Sequence, residues 1–212
     1  VNGFPGFHLA TWRIPGVLQR IAICFSLAAL IVLHVPLRWQ WGLGAAILGG
    51  YAAVLQWVGA PGVVAGQLEP TANLPRWVDL SVFSSSHVFS LWPTEPEGLL
   101  STPAAIVSVL LGYWVGGALV GRSPSRRYGL FVIGSGFVLV ALGLVWSATL
   151  PMVKMIWTPT YVLFAGGWAM VAFGLCYLLT DVRRSTNSMW AVQVFGRNAI
   201  LAYVLSELAA GA

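Results

Sequence analysis

Apolar residues run along this chain in long blocks, and polar residues collect between them. About 20 mostly apolar residues are needed to cross a bilayer as a helix. Six blocks meet that need: residues 17–37, 41–58, 99–121, 128–150, 160–179 and 191–210. Their connections are short except 59–98, which holds five prolines, four acids and His87. The pattern predicts an all-α fold, a polytopic membrane helix bundle of about six spans forming a single domain over 1–212 with one long loop. Pro15 suits the first turn of the opening helix. That places Arg20 about one turn deep, with Gln19 beside it and Arg13 just upstream. Gly112-x-x-x-Gly116 and Gly117-x-x-x-Gly121 put small residues four apart in the third block, a spacing that lets helix backbones approach. It is read first as packing within the bundle, with a second copy of the chain as the other partner it would suit.

Composition sharpens this picture. The chain is 58% hydrophobic and only 8% charged, against roughly 25% charged in soluble domains. The net charge of +5 is therefore read connection by connection. One side carries Arg38, Arg122, Arg126, Arg127, Arg183 and Arg184 against Asp181. The other carries Arg13, Arg76 and Lys154 against Glu69, Asp79, Glu95 and Glu97. The excess of arginine marks the first side as inside. The N-terminus and loop 59–98 are then expected outside. Trp12, Trp39, Trp41, Trp57, Trp157 and Trp190 fall at span ends, as interfacial anchors do. Cys24 and Cys176 lie near opposite faces and carry no metal-ligand spacing. No CxxC, HExxH, GxSxG or phosphate loop occurs, so no metal is expected. The chain starts at Val1 and stops inside the apolar run "YVLSELAAGA". It reads as a fragment, truncated at both ends, of a longer membrane protein.

Three polar constellations carry candidate chemistry. In "WRIPGVLQR", Arg13, Gln19 and Arg20 either snorkel to the interface or face a cavity, binding an anion, a carbonyl oxygen or sugar hydroxyls. In "WPTEPEGLLSTPAAI", Glu97 and Ser101 sit at the mouth of the third span. Glu97 either complements the positive helix end or binds an acceptor hydroxyl or amine. In "FGRNAILAYVLSE", Arg197 belongs to the inner basic belt or to a site, and Asn198 and Glu207 are costly in an apolar run. His8, His34 and His87 are loop or interfacial histidines. The residues alone predict a cavity opening outward, lined by Arg13, Gln19, Arg20, Glu97 and Ser101.

These segments resemble the heparan-α-glucosaminide N-acetyltransferase family, and among its members the bacterial relatives. "RIPGVLQRIAICF", "PEGLLSTPAAI", "IWTPTYVLFAGGWAM" and "FGRNAILAYVLSE" occur in the family's order, with a long outer loop before the PEG motif. The resemblance implies a multi-pass acetyltransferase, here in a bacterial inner membrane. It would take acetyl from acetyl-CoA on the inner side and deliver it to the amine of an amino sugar on the outer side. Arg126, Arg127 and Arg197 would meet the phosphates of acetyl-CoA. Arg13, Gln19, Arg20, Glu97, Ser101 and Asn198 would serve the acceptor. Membrane lipids are expected partners and nucleic acid is not. The family's proposed catalytic histidine lies in an early segment resembling H-x-x-W-N-G-x-T, which this sequence lacks. No catalytic residue is therefore assigned, and the chain by itself is expected to be inactive. Where the lysosomal enzyme has a histidine before the final glutamate, this chain has Ser206. Two other functions stay open: acyl transfer of another group or onto another envelope glycan, and permeation of a sugar or organic anion.

Overall fold

The computed structural model describes residues 12–89, 92–183 and 190–210. His8, Arg184 and the side chain of Glu207 lie outside the described residues. The fold is predominantly helical. Helix α1 (Val17–His34) ends because Pro36 forces Val35 into extended backbone, φ −105° and ψ 123°. Helix α2 (Leu37–Trp57) starts directly after that proline. Helices α4 (Thr102–Leu119) and α6 (Pro159–Tyr177) each open with a proline in the first turn, where its missing N–H costs nothing. Between α4 and α6 runs α5 (Arg126–Trp146), whose N-cap Ser125 accepts from the Arg127 amide.

Among the described residues, four helices are long and apolar enough to cross a membrane: α1, α4, α5, and α6 continued by a π-helical turn to Val182. Together they define a helical membrane protein. The other two expected runs take different forms. Helix α2 has 21 residues, but four glycines, Gln40 and Gln56 dilute its apolar character. The last run is divided into α7 (Trp190–Arg197) and α8 (Ala199–Ala210).

The segment 59–98 is not a bare loop. It contains a two-stranded hairpin, β1 (Leu68–Glu69) antiparallel to β2 (Ala72–Asn73), and a helix, α3 (Leu74–Phe83). Asn73 caps α3 by accepting from the Arg76 amide, and its own amide donates to Thr94 Oγ1 at 2.9 Å. That bond ties the turn before α3 to the end of the segment.

Helix α4 is the hub. It packs against α1 and α2 on one side and α6 on the other, and α5 packs on α6. Ala104 and Leu110 are wholly buried there, with Leu55, Ile156 and Val162 around them. In lipid, apolar burial between helices gains little over lipid contact, so close backbone approach matters more. The α5–α6 pair shows where it happens. A methyl added at Gly136 would lie 2.7 Å from the Gly167 carbonyl oxygen, and one at Gly143 would lie 2.9 Å from the Phe164 amide. Gly129, Gly136 and Gly143 recur every seven residues, facing Gly174 and Gly167 in antiparallel order. This corrects the expectation of packing within the bundle: among the described residues, a methyl added at Gly112, Gly116, Gly117 or Gly121 would meet nothing within 4 Å. The tight seam uses a seven-residue glycine spacing on the next two helices instead.

Candidate functional site

The polar site forms where the chain before α1 meets the chain before α4. Arg13 reaches across to two carboxylates, those of Glu95 and Glu97. Its Nη2 donates to one oxygen of each, and its Nε donates to Glu95 Oε2 at 3.2 Å. Glu95 is the buried member, its side chain 1% exposed against 16% for Glu97. Backbone donors complete it: the Phe89 amide gives to Oε2 at 2.7 Å and the Glu97 amide to Oε1 at 3.3 Å. The Arg13 guanidinium also stacks over the Phe89 ring, 4.4 Å from its centre. Burial works against the charge on Arg13. The hydrogen bond and charge of Glu95, followed by those of Glu97, outweigh it and raise its pKa. Burial, then the hydrogen bond that a protonated Glu97 gives to Glu95, pushes Glu97 above the ordinary glutamate range.

Arg20 lies one turn further along and is buried. Among the described residues it makes no carboxylate pair. Its Nη1 donates to the Pro96 carbonyl and its Nη2 to the Ser101 carbonyl at 3.2 Å. Its guanidinium sits 4.7 Å from the centre of the Trp157 ring. Trp157 itself holds a positive φ of 52°, a costly conformation for a bulky residue. Thr158 and Thr160, both fully buried, hold that turn: the Val153 amide donates to Thr158 Oγ1 at 3.0 Å, and the two hydroxyls lie 3.0 Å apart. The Trp157 indole N–H donates to Ser108 Oγ on α4 at 3.2 Å. Trp157 is thus a wall of the site, not a lipid-facing anchor.

Beneath these residues, α3 delivers Asp79, 1% exposed. Its Oδ1 accepts from the Leu99 amide at 2.9 Å. Gly98 is pressed so close that an added methyl would lie 2.8 Å from Asp79 Cγ. Burial, with Glu95 adding to it, pushes Asp79 up to about 7, against the opposing pull of the Leu99 N–H and of Arg20.

Of the residues singled out in the sequence, Arg13, Arg20, Glu97 and Ser101 meet here. Ser101 contributes its carbonyl, while its hydroxyl turns back to the Gly98 carbonyl at 3.0 Å. Gln19 is exposed and outside the cluster. Asn198 lies between α7 and α8, exposed, with its amide on the Val194 carbonyl at 2.9 Å. Arg126 and Arg127 open α5. Arg127 lines a groove of about 340 Å3 with Arg122, Tyr128 and Phe131. Arg197 ends α7 and is exposed. Glu95, Asp79 and Trp157 were missed as site residues. Glu95 carried a signal, since Glu95-Pro-Glu97 places two acids two apart in a proline-stiffened turn. Asp79 carried none beyond being an acid in an apolar stretch of α3.

The fold and site together define a helical membrane protein with a half-buried guanidinium–carboxylate cluster at one end of its bundle. The chain is similar to heparan-alpha-glucosaminide N-acetyltransferase of Homo sapiens, 24% identical over 249 aligned residues. The same enzyme of Mus musculus is 24% identical over 250. Each alignment takes in 92% of this chain but 37% of the relative, so the chain spans little more than a third of their length. No family model matches it. The identity, low but carried across almost the whole chain, supports a distant relationship to that acetyltransferase family.

Proposed function

We propose that this chain is part of a transmembrane acyltransferase that moves acetyl from acetyl-CoA to an amino sugar. The observation that carries the reading is a convergence. Three segments that resemble the acetyltransferases are separated by some 80 and 60 residues of sequence, yet their polar groups share one cluster. Arg13 and Arg20 come from the first, Glu97 and Gly98 from the second, and Trp157 from the third. The fourth, around Asn198, does not join them.

In this reading the cluster faces outward and the arginines at the start of α5 face inward, as the charge distribution directs. Arg126, Arg127 and Arg197 would hold the phosphates of acetyl-CoA. Glu97, the more exposed carboxylate, would receive the acceptor ammonium. The amine must lose a proton before it attacks the thioester, and carboxyls held above their ordinary range suit that task. Arg20 is committed to two carbonyls and holds the Pro96–Ser101 turn in place.

The full-length protein that contains this chain, in liposomes and given isotopically labelled acetyl-CoA and glucosamine, should yield labelled N-acetylglucosamine by mass spectrometry. Glu97→Gln should lower the rate at least ten-fold, the low end for losing an acid–base group being about 100-fold. Transfer to other glycans but not glucosamine would replace the acceptor. Absence of any acyl transfer, with sugar flux across the liposome wall, would replace the enzyme by a permease.

A further inference from the structure

Asp79 is buried against the cluster, and the chemistry above does not use it. Among the described residues its Oδ2 is the buried side-chain polar atom without a hydrogen-bond partner. Asp79 and Glu95 line a common cavity of about 10 Å3, together with Arg76, Phe89 and Trp92. That is about the room one water molecule needs. Glu95 and Glu97 share the Arg13 guanidinium, whereas Asp79 faces Arg20 and Arg76 and, among the described residues, pairs with neither. Arg20 gives its donors to backbone carbonyls. Close carboxylates resist ionising together, and a buried oxygen with no donor is held at less cost as an acid O–H than as an anion.

We propose that Asp79 holds the proton of this carboxylate cluster and exchanges it with water through the cavity beside Glu95, so that its charge state sets how many negative charges face an ammonium acceptor at Glu97. The inference rests on the amino-sugar reading and adds a proton-holding residue to it. The acceptor arrives as R–NH3+. Its nitrogen forms a bond to the acetyl carbonyl carbon, and the carbon–sulfur bond of the thioester breaks. Of the two protons the nitrogen loses, one ends on the departing thiolate. The other passes to Glu97 and leaves to solvent from that partly exposed carboxylate. Asp79 does not touch the acceptor; it is a positioning residue whose neutral form spares the Glu95–Glu97 pair a third negative charge. The charged and titratable groups that face it are Glu95 from the segment before α4, Arg20 from α1, Tyr51 from α2 and Arg76 on its own helix. A pKa pushed up to about 7 lets the carboxyl both accept and release a proton near neutrality.

Asp79→Asn tests this, because it keeps an acceptor for the Leu99 amide and removes the proton site. Infrared pH-difference spectra of the detergent-purified protein should show a protonated-carboxyl band titrating near neutral pH, and Asp79→Asn should abolish it. A band that survives the substitution overturns the proposal. Should the variant fail to fold, carboxyl-13C aspartate labelling of the 212-residue chain, whose aspartates are Asp79 and the exposed Asp181, reports on Asp79 directly. The absence of a shifted band at neutral pH is then equally fatal. The pH–rate profile of acetyl transfer by the full-length protein should lose its limb near neutrality in Asp79→Asn. An unchanged profile refutes the role in transfer. If the wild type transfers no acyl group at all, the enzymatic reading fails, and the infrared band alone decides where the proton resides.

Discussion

Glu95 and Glu97 stand two residues apart on the same arginine, and neutralising them should have very different consequences. Glu95→Gln keeps the shape but replaces one oxygen by an NH2. Oε1 accepts from Arg13 Nη2 and the Glu97 amide, while Oε2 accepts from Arg13 Nε and the Phe89 amide. Either orientation of the new amide therefore points donors at donors. Two hydrogen bonds are lost, and a half-buried guanidinium loses its buried counter-charge. Removing one partner of a buried pair costs roughly 3–5 kcal/mol, and the partial exposure of Arg13 brings that to about 3 kcal/mol. Glu97→Gln loses one contact on a more exposed side chain and can keep an oxygen toward Arg13, so its cost is about 1 kcal/mol or less. Unfolding in mixed detergent micelles, followed by circular dichroism, measures both. Activity should order the other way among folded protein, with Glu97→Gln the more damaging per folded molecule. Equal destabilisation by the two variants would refute the division into a buried brace and a reactive carboxylate.

Three further outcomes are expected. Because the folded-state pKa of Asp79, about 7, lies above the ordinary 3.8, the folded state binds this proton more tightly. Stability is therefore fullest below 3.8 and is lost as pH rises through about 7, by up to on the order of 4 kcal/mol; Asp79→Asn should flatten the unfolding curve across that window. Gly134→Ala, where nothing lies within 4 Å, should stabilise α5 by up to about 1 kcal/mol, whereas Gly136→Ala, 2.7 Å from the Gly167 carbonyl oxygen, should destabilise by about 1–3 kcal/mol; the same sign at both sites would refute the seam. Trp157→Phe deletes the donor to Ser108 Oγ and weakens the stack under Arg20, and should lower thermal stability by about 1–2 kcal/mol.

Helix positions were legible because apolar block length is a direct consequence of bilayer thickness. Boundaries shifted where a proline acted locally. Pro36 ends α1 at His34 and lets α2 begin at Leu37, a reading available from the dipeptide rule but hidden by the surrounding apolar residues. Arg13, Arg20 and Glu97 could be picked out because charge near an apolar run is costly. That Arg20 binds carbonyls and Arg13 binds carboxylates could not be, since both depend on how residues some 80 positions away fold back. The Gly-x-x-x-Gly pattern misled for a related reason. Spacing says that a close approach is possible but does not say which helix arrives, and the described partner helices met at Gly136 and Gly167.

The partners of Arg20 also impose an order on the making of the protein. The carbonyls of Pro96 and Ser101 follow Arg20 by 76 and 81 residues. At a synthesis rate of about 5–20 residues per second, α1 leaves the ribosome roughly 4–16 s before its guanidinium has anything to bind. During that interval the helix carries an unsatisfied charge one turn from its end, a state that disfavours settling fully into lipid. The first helix therefore has reason to linger at the insertion machinery until the turn before α4 emerges, and the arginine that later fastens the site sets the schedule of its assembly.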